Sequence, residues 1–255
     1  MSGLPSTPSF RVEGRRALVT GASRGIGMGA AVALAEAGAD VVAAARSADE
    51  LAELCDALVE RGLKASAMTL DVGDIEATRR AVREAGPFDI LVNNAGVNKP
   101  GPMVDVTVED FDFIMDINVR AAYFVAQTVL LGMIEAGRGG SIINTSSQMG
   151  LVGGIDRTVY CASKFAIEGL TRALAVEAGS HRIRVNTICP TFVRTPLTAP
   201  TFANPERVKW IEDKIELGRV AEIEDMMGPV VFLASEAAAM ITGSSLVVDG
   251  GWTAS

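Results

Sequence analysis

The chain has 255 residues, 49 % of them apolar and only 5 % aromatic, and a formal net charge of −8. That length suits one large α/β domain or two small ones. The acidic balance argues against nucleic acid and against an anionic membrane surface, since both select a basic face.

Residues 1–10 are polar and Pro/Ser-rich, with no hydrophobic signal core. Residues 1–11 are therefore expected to form a flexible leader before a single domain over 12–255, and the protein is expected to be cytoplasmic. No run of about 18 apolar residues reads as a membrane span. Strand-like aliphatic runs follow at 16–20, 40–45, 65–69, 90–93, 141–146, 184–189 and 245–248. Several are continuous Val/Ile/Leu/Ala stretches, as parallel strands covered on both faces require. Helical patterns fill the gaps at 27–37, 49–61, 74–85, 108–134, 160–177 and 222–234. This alternation predicts an α/β fold: a Rossmann-like, doubly wound parallel sheet of seven strands with helices on both faces. The segment 190–218 carries four prolines and a short helical stretch around 207–215. It is too long for a simple βα loop and reads as a substrate lid at the carboxyl ends of the strands.

The first strand runs into Thr20-Gly21-Ala22-Ser23-Arg24-Gly25-Ile26-Gly27 and then a helix. Glycine permits the tight turn and lets backbone N–H groups approach a pyrophosphate, to which the helix N-terminus adds partial positive charge. A nucleotide site over Gly21, Ser23, Arg24, Gly25, Ile26 and Gly27 is predicted. An acidic residue about 20 positions after the glycines would hold the ribose hydroxyl of NAD and repel a 2′-phosphate. That position holds Ala45 followed by Arg46, so NADP(H) is preferred, with NAD(H) possible. Asp71 and Val72 end the third strand and can meet the adenine. Asn93, Ala95 and Gly96 end the fourth, where small residues allow close packing on the cofactor. An S-adenosylmethionine-dependent methyltransferase shares the glycine turn but leaves Tyr160, Lys164 and the two arginines unexplained.

Tyr160 and Lys164 stand four positions apart at the start of a helical stretch, hence on one face. A lysine cation near a phenol stabilises the phenolate, which is how a tyrosine can do acid/base work near pH 7. The preceding strand ends in Ser146-Ser147, where a hydroxyl could hold the substrate oxygen. The three cysteines form no C-x-x-C pair, and one histidine, His181, leaves no material for a metal site or a histidine triad.

With these motifs in this order, residues 12–252 resemble the short-chain dehydrogenase/reductase family, in its branch of roughly 250 residues that includes sugar and polyol dehydrogenases and 3-oxoacyl-carrier-protein reductases. The resemblance implies that Ser147 orients the substrate. Tyr160 would transfer the proton while hydride passes to or from the nicotinamide. Lys164 would hold the nicotinamide ribose and lower the tyrosine pKa, and Asn118 would hold a water that relays protons to Lys164. It also places Pro190, Val193 and Thr195 against the carboxamide. The family usually has glycine after that proline, whereas this chain has Thr191, a change expected to shape the pocket. Substrate contacts are expected from 148–159 and 192–210, with Gln148, Met149, Phe192, Leu197 and Trp210 foremost and Asp156, Arg157 and Arg194 as polar members. The expected activity is alcohol–ketone interconversion on a sugar, polyol or keto acid derivative. A carrier-protein or CoA thioester reductase is the alternative, and a catalytically silent NADP-binding sensor or scaffold is the non-enzyme reading. The final strand resembles that of family members that assemble as tetramers, and the broadly apolar helices at 108–134 and 160–177 fit burial against a partner, so a homotetramer is expected.

Overall fold

The computed structural model describes residues 3–254. Its strands are β1 (Arg16–Thr20), β2 (Asp40–Ala45), β3 (Lys64–Thr69), β4 (Ile90–Asn93), β5 (Gly140–Thr145), β6 (Ile183–Pro190) and β7 (Ser245–Val248). They form one seven-stranded sheet in the order β3-β2-β1-β4-β5-β6-β7, with every pairing parallel. The chain winds outward from β1 to β3, then returns to lay β4 on the other side of β1. That reversal opens a crevice at the carboxyl ends of β1 and β4, the place where open α/β sheets bind ligands.

Strand side chains alternate between faces, and here both faces are covered. Ala17 and Val19 of β1 and Val41 and Ala43 of β2 join the core on one side. Leu18, Val42 and Ala44 join the core on the other. This double burial is why the strands read as continuous apolar runs. Each fully buried Leu or Ile contributes about 1.5–3 kcal/mol. β3, at the edge, is mostly exposed.

The helices are α1 (Gly25–Glu36), α2 (Ala48–Glu60), α3 (Ile75–Ala85), α4 (Val108–Met115), α5 (Ala122–Ala136), α6 (Thr158–Ala178), α7 (Ala199–Phe202), α8 (Pro205–Glu212) and α9 (Glu224–Ala234). Ser47, Asp74 and Thr107 cap α2, α3 and α4 by accepting from the backbone N–H three residues on, as N-cap side chains do. The sequence predicts one helix over 108–134. The structure instead inserts a π-helical turn, Asp116–Ala121, between α4 and α5. The combined helix Val108–Ala136 is, by length and composition alone, long and apolar enough to cross a membrane, which corrects the expectation that no such stretch exists. Its apolarity has a core use: Val125, Ala126, Val129 and Met133 of α5 pack beneath the sheet.

Residues 3–11 form neither helix nor strand, yet the segment is partly tied down. The Phe10 ring lies 6.2 Å from that of Phe232, and Arg11 Nη1 donates to the Glu36 carbonyl at 3.1 Å. Between β6 and α9 the chain forms the short helices α7 and α8, and α7 lines the smaller of the two cavities described next through Pro200 and Thr201.

Candidate active site

The turn after β1 is built on glycine for two distinct reasons. Gly21 and Gly25 adopt φ of +64° and +60°, where a β-carbon is strained. At Gly27 the obstacle is space, because a β-carbon would strike the Gly21 carbonyl oxygen and come within 2.5 Å of Asn94 Nδ2. α1 begins at this turn with Arg24 extended at its N-cap and no side chain capping it. Its first N–H groups are therefore free for an outside acceptor such as a phosphate.

A cleft of about 580 Å³ runs from this turn across the ends of the strands. Gly21, Ser23, Arg24, Gly25 and Ile26 line one end, with Arg46, Asp71 and Val72 beyond them and Ala95 and Gly96 at its centre. Ser147, Tyr160, Lys164, Pro190, Val193 and Thr195 close the far end. The volume and the cradle fit a dinucleotide. Arg24 and Arg46 are exposed, and neither has an ion-pair partner among the described residues. Glu50, on the first turn of α2, shares that wall and was not singled out from the sequence.

Two of the expected cofactor contacts do not reach the cleft. Gly27 lies behind the turn, where it permits the close packing just described. Asn93 is 5 % exposed and faces inward, its amide donating to the Ala122 carbonyl at 2.8 Å and to Asn144 Oδ1 at 3.1 Å. Successive residues at a strand end point opposite ways, so its neighbour Asn94 lines the cleft instead. Asn94 Nδ2 donates to the carbonyls of Thr20 at 3.1 Å and Gly21 at 3.3 Å. The Thr20 hydroxyl accepts from the N–H groups of Asn94 at 3.0 Å and Ala95 at 3.1 Å. Together these bonds lock the glycine turn to the end of β4.

Tyr160 and Lys164 project from one face of α6, with the Lys164 ammonium 5.5 Å from the centre of the Tyr160 ring. Lys164 Nζ donates to the Thr145 carbonyl at 2.8 Å, which anchors it to the end of β5. Burial lowers the Lys164 pKa to about 8, against the opposing pull of Cys189 and Glu168. Burial also raises the Tyr160 phenol to about 12, opposed by the Ser147 hydroxyl and the Arg157 guanidinium. In the protein without cofactor, desolvation outweighs these two partners. Ser147 Oγ accepts from the Met149 N–H at 3.1 Å, which fixes the serine at the mouth of a short helical turn.

Asn118 lies in the π-turn, 2 % exposed and outside the cleft lining. Its Oδ1 accepts from the Val97 N–H at 2.8 Å, and its Nδ2 donates to the Val97 carbonyl at 2.9 Å and to Ser163 Oγ at 3.1 Å. It clamps the segment after Gly96. A β-carbon at Gly96 would sit 3.3 Å from Asn118 Oδ1 and 3.8 Å from Lys164 Nζ, so Gly96 is the spacer between them.

A second cavity of about 210 Å³ opens beyond Ser147 and Tyr160, lined also by Gln148, Met149, Phe192 and Leu197. Trp210 is not part of it. α8 turns Ile211 fully inward, which rotates Trp210 outward to pack edge-on against Trp252 at 5.6 Å, behind Phe192. Arg194 is also drawn away, pairing with Glu222 at 3.1 Å. Thr191, expected to shape the pocket, lines it, as do Thr198 and Thr201 of the expected 192–210 segment, and the structure adds Asn98. Nothing in the local pattern of Asn98 distinguishes it from an ordinary loop residue.

A sequence-family model described as enoyl-(acyl carrier protein) reductase matches residues 21–253. An L-xylulose reductase of Bos taurus is 43 % identical over 245 residues, spanning 96 % of this chain and 99 % of that protein. A 2-dehydro-3-deoxy-D-gluconate 5-dehydrogenase of Dickeya dadantii (strain 3937) is 39 % identical over 250 residues, spanning 96 % and 98 %. Among solved structures, a gluconate 5-dehydrogenase from Burkholderia cenocepacia J2315 in complex with NADP and tartrate superposes with a TM-score of 0.93. It is 33 % identical and covers 96 % of this chain and 98 % of that one.

Proposed function

Because this chain belongs to the short-chain dehydrogenase/reductase family, we propose that it is an NADP(H)-dependent oxidoreductase interconverting a secondary alcohol and a ketone on a small sugar, polyol or keto acid derivative. The observation that carries this reading is the position of Ser147 and Tyr160. Both line the nucleotide cleft and the smaller cavity, with Lys164 beside them in the cleft. Bound NADP(H) supplies or accepts the hydride. Ser147 holds the substrate oxygen, and Tyr160 gives or takes its proton. Lys164 holds the ribose hydroxyls and, as a cation, favours the phenolate. Asn118 keeps the Gly96–Val97 segment in place beneath Lys164, consistent with a proton relay there.

The preference for NADP(H) rests on Arg24 and Arg46, two guanidinium groups unpaired among the described residues and flanking the cleft where β2 offers no carboxylate of its own. The names of the relatives, which refer to a ketopentose and to sugar acids, support the substrate class. A carrier-bound acyl chain calls for an extended apolar groove, and the threonine, glutamine and arginine lining of the smaller cavity suits it poorly. A silent sensor would have no need of an intact Ser147, Tyr160 and Lys164. A cytoplasmic location belongs to the same reading.

The test is absorbance at 340 nm with NADPH and NADH in parallel over ketoses, keto acids and their alcohols. Tyr160→Phe should lower kcat by about 10²–10⁴-fold, the usual worth of an acid/base group, with NADPH affinity retained. Wild-type turnover by Tyr160→Phe on an accepted substrate would refute the mechanism.

We also infer self-association as a homotetramer. Tyr123 and Leu131 on α5 and Phe165 and Val176 on α6 are exposed large apolar side chains, more than a solitary molecule is expected to leave in water on adjacent helices. A monomer by light scattering at micromolar concentration would overturn this.

A further inference from the structure

The smaller cavity contains a charge without a counterpart. Arg157 is 5 % exposed, yet its only side-chain hydrogen bond among the described residues is from Nη1 to the Asp156 carbonyl at 3.2 Å. Among the described residues it forms no ion pair, while Asp89, Glu168 and other acidic groups elsewhere do. The guanidinium nitrogens that lack a partner are not sealed from solvent. Desolvation and the neighbouring cation Arg207 lower the Arg157 pKa, against smaller opposing pulls from Tyr160, Asp156 and Cys161. A guanidinium held largely out of water is costly unless an anion meets it, and its fork matches a carboxylate.

The rest of the cavity asks for hydroxyl groups. Asn98 Oδ1, Gln148 Oε1 and Thr191 Oγ1 are buried without a hydrogen-bond partner, and all three residues line this cavity. Arg157 stands at the N-cap of α6, three positions before Tyr160, so the two residues address the cavity from the same side of the helix.

We propose that Arg157 is the carboxylate-binding residue of the substrate cavity, and that the substrate is a polyhydroxylated acid (an aldonate or its keto form) rather than a neutral sugar or polyol. This rests on the reading of the cavity as the substrate site. The carboxylate is held by the guanidinium, and the chain of carbinol carbons extends from it past Gln148 and Thr191 to Ser147 and Tyr160. Buried and otherwise unpaired, the arginine is a specificity determinant rather than a structural tie.

The experiment compares matched pairs that differ only at C1: threonate with threitol, arabinonate with arabitol, gluconate with glucitol. Each is offered with NADP⁺ to the wild type, Arg157→Gln and Arg157→Lys. Wild type is expected to favour an acid over its alditol by at least about 100-fold in kcat/KM, the scale of a desolvated charge pair. Arg157→Gln should raise KM for that acid by about 30-fold or more and leave the alditol nearly unchanged, with Arg157→Lys intermediate. The Tm of Arg157→Gln should not fall, and the acid should raise the Tm of the wild type but not of the variant. A preference for alditols, an equal loss on acid and alditol, or a variant destabilised without change in preference would overturn the proposal. If no pair is oxidised, the redox reading fails instead. Calorimetric titration of the acids into the NADP⁺ complex then decides Arg157, since wild-type binding lost in Arg157→Gln supports it and absent or unchanged binding refutes it.

Discussion

Replacing Lys164 with methionine should stabilise the cofactor-free protein at pH 7 while abolishing turnover. Lys164 is 5 % exposed, and burial takes its pKa from 10.5 to about 8. At about 1.36 kcal/mol per pH unit, holding the charged form in the fold costs about 3 kcal/mol. The hydrogen bond from Nζ to the Thr145 carbonyl, 2.8 Å long, returns about 1.5–3 kcal/mol as a bond from a charged donor. The net gain of Lys164→Met at pH 7 is therefore modest, about 1 kcal/mol, and its pH dependence is the sharper signature. The folded pKa lies below the unfolded one, so above about pH 8 the unfolded chain binds a proton that the folded chain does not. Wild-type stability accordingly rises with pH through that window until the unfolded lysine also deprotonates near 10.5. The variant lacks this group, so its advantage of about 1 kcal/mol at pH 7 should become a deficit of about 1 kcal/mol at pH 9.5, a relative change of about 2 kcal/mol. Urea unfolding of both proteins at the two pH values measures it. A difference that does not change with pH would show that burial of a charged Lys164 is not a cost carried by the fold.

Gly27→Ala should lower stability by about 1–3 kcal/mol, as forced overpacking does. It should also weaken NADPH binding by at least tenfold, because the new methyl displaces the Gly21 carbonyl that shapes the turn. Thermal melts and cofactor-fluorescence titration check both effects, and unchanged binding would mean the turn can relax. Arg46→Ala combined with Arg24→Ala should raise the Kd for NADPH by about 10–100-fold, the worth of charge-assisted contacts to a phosphate, with NADH affected far less. Equal losses on the two cofactors would remove the arginines from the 2′-phosphate.

The sheet was legible because each strand buried on both faces leaves a run of small aliphatic residues, as in β1 and β2. The glycine turn and the Tyr160–Lys164 spacing were legible because their chemistry depends on neighbours close in sequence. What escaped depends on orientation or on distant segments. Asn93 and Asn94 are chemically identical, and only the direction of the strand end separates the core amide from the one at the turn. Trp210 was misplaced because the phase of α8, set by Ile211, turns it outward. The lack of an ion pair at Arg157 among the described residues cannot be read locally, because it depends on where distant carboxylates lie in the fold.

The π-turn Asp116–Ala121 gives the long helix one residue more than an α-helical path needs. Each residue advances an α-helix by about 100°, so the insertion acts as a phase shifter between α4 and α5. Downstream of it, Val125, Val129 and Met133 stay directed at the sheet, while within it Asn118 turns toward Val97 and Ser163. Removing one residue between 116 and 121 would restore a regular helix and merge the two registers into one. Such a chain could keep the apolar stripe of α5 under the sheet or the Asn118 clamp beside Gly96, but not both. A single extra residue thus lets one helix serve the core and the site without compromise between their geometries.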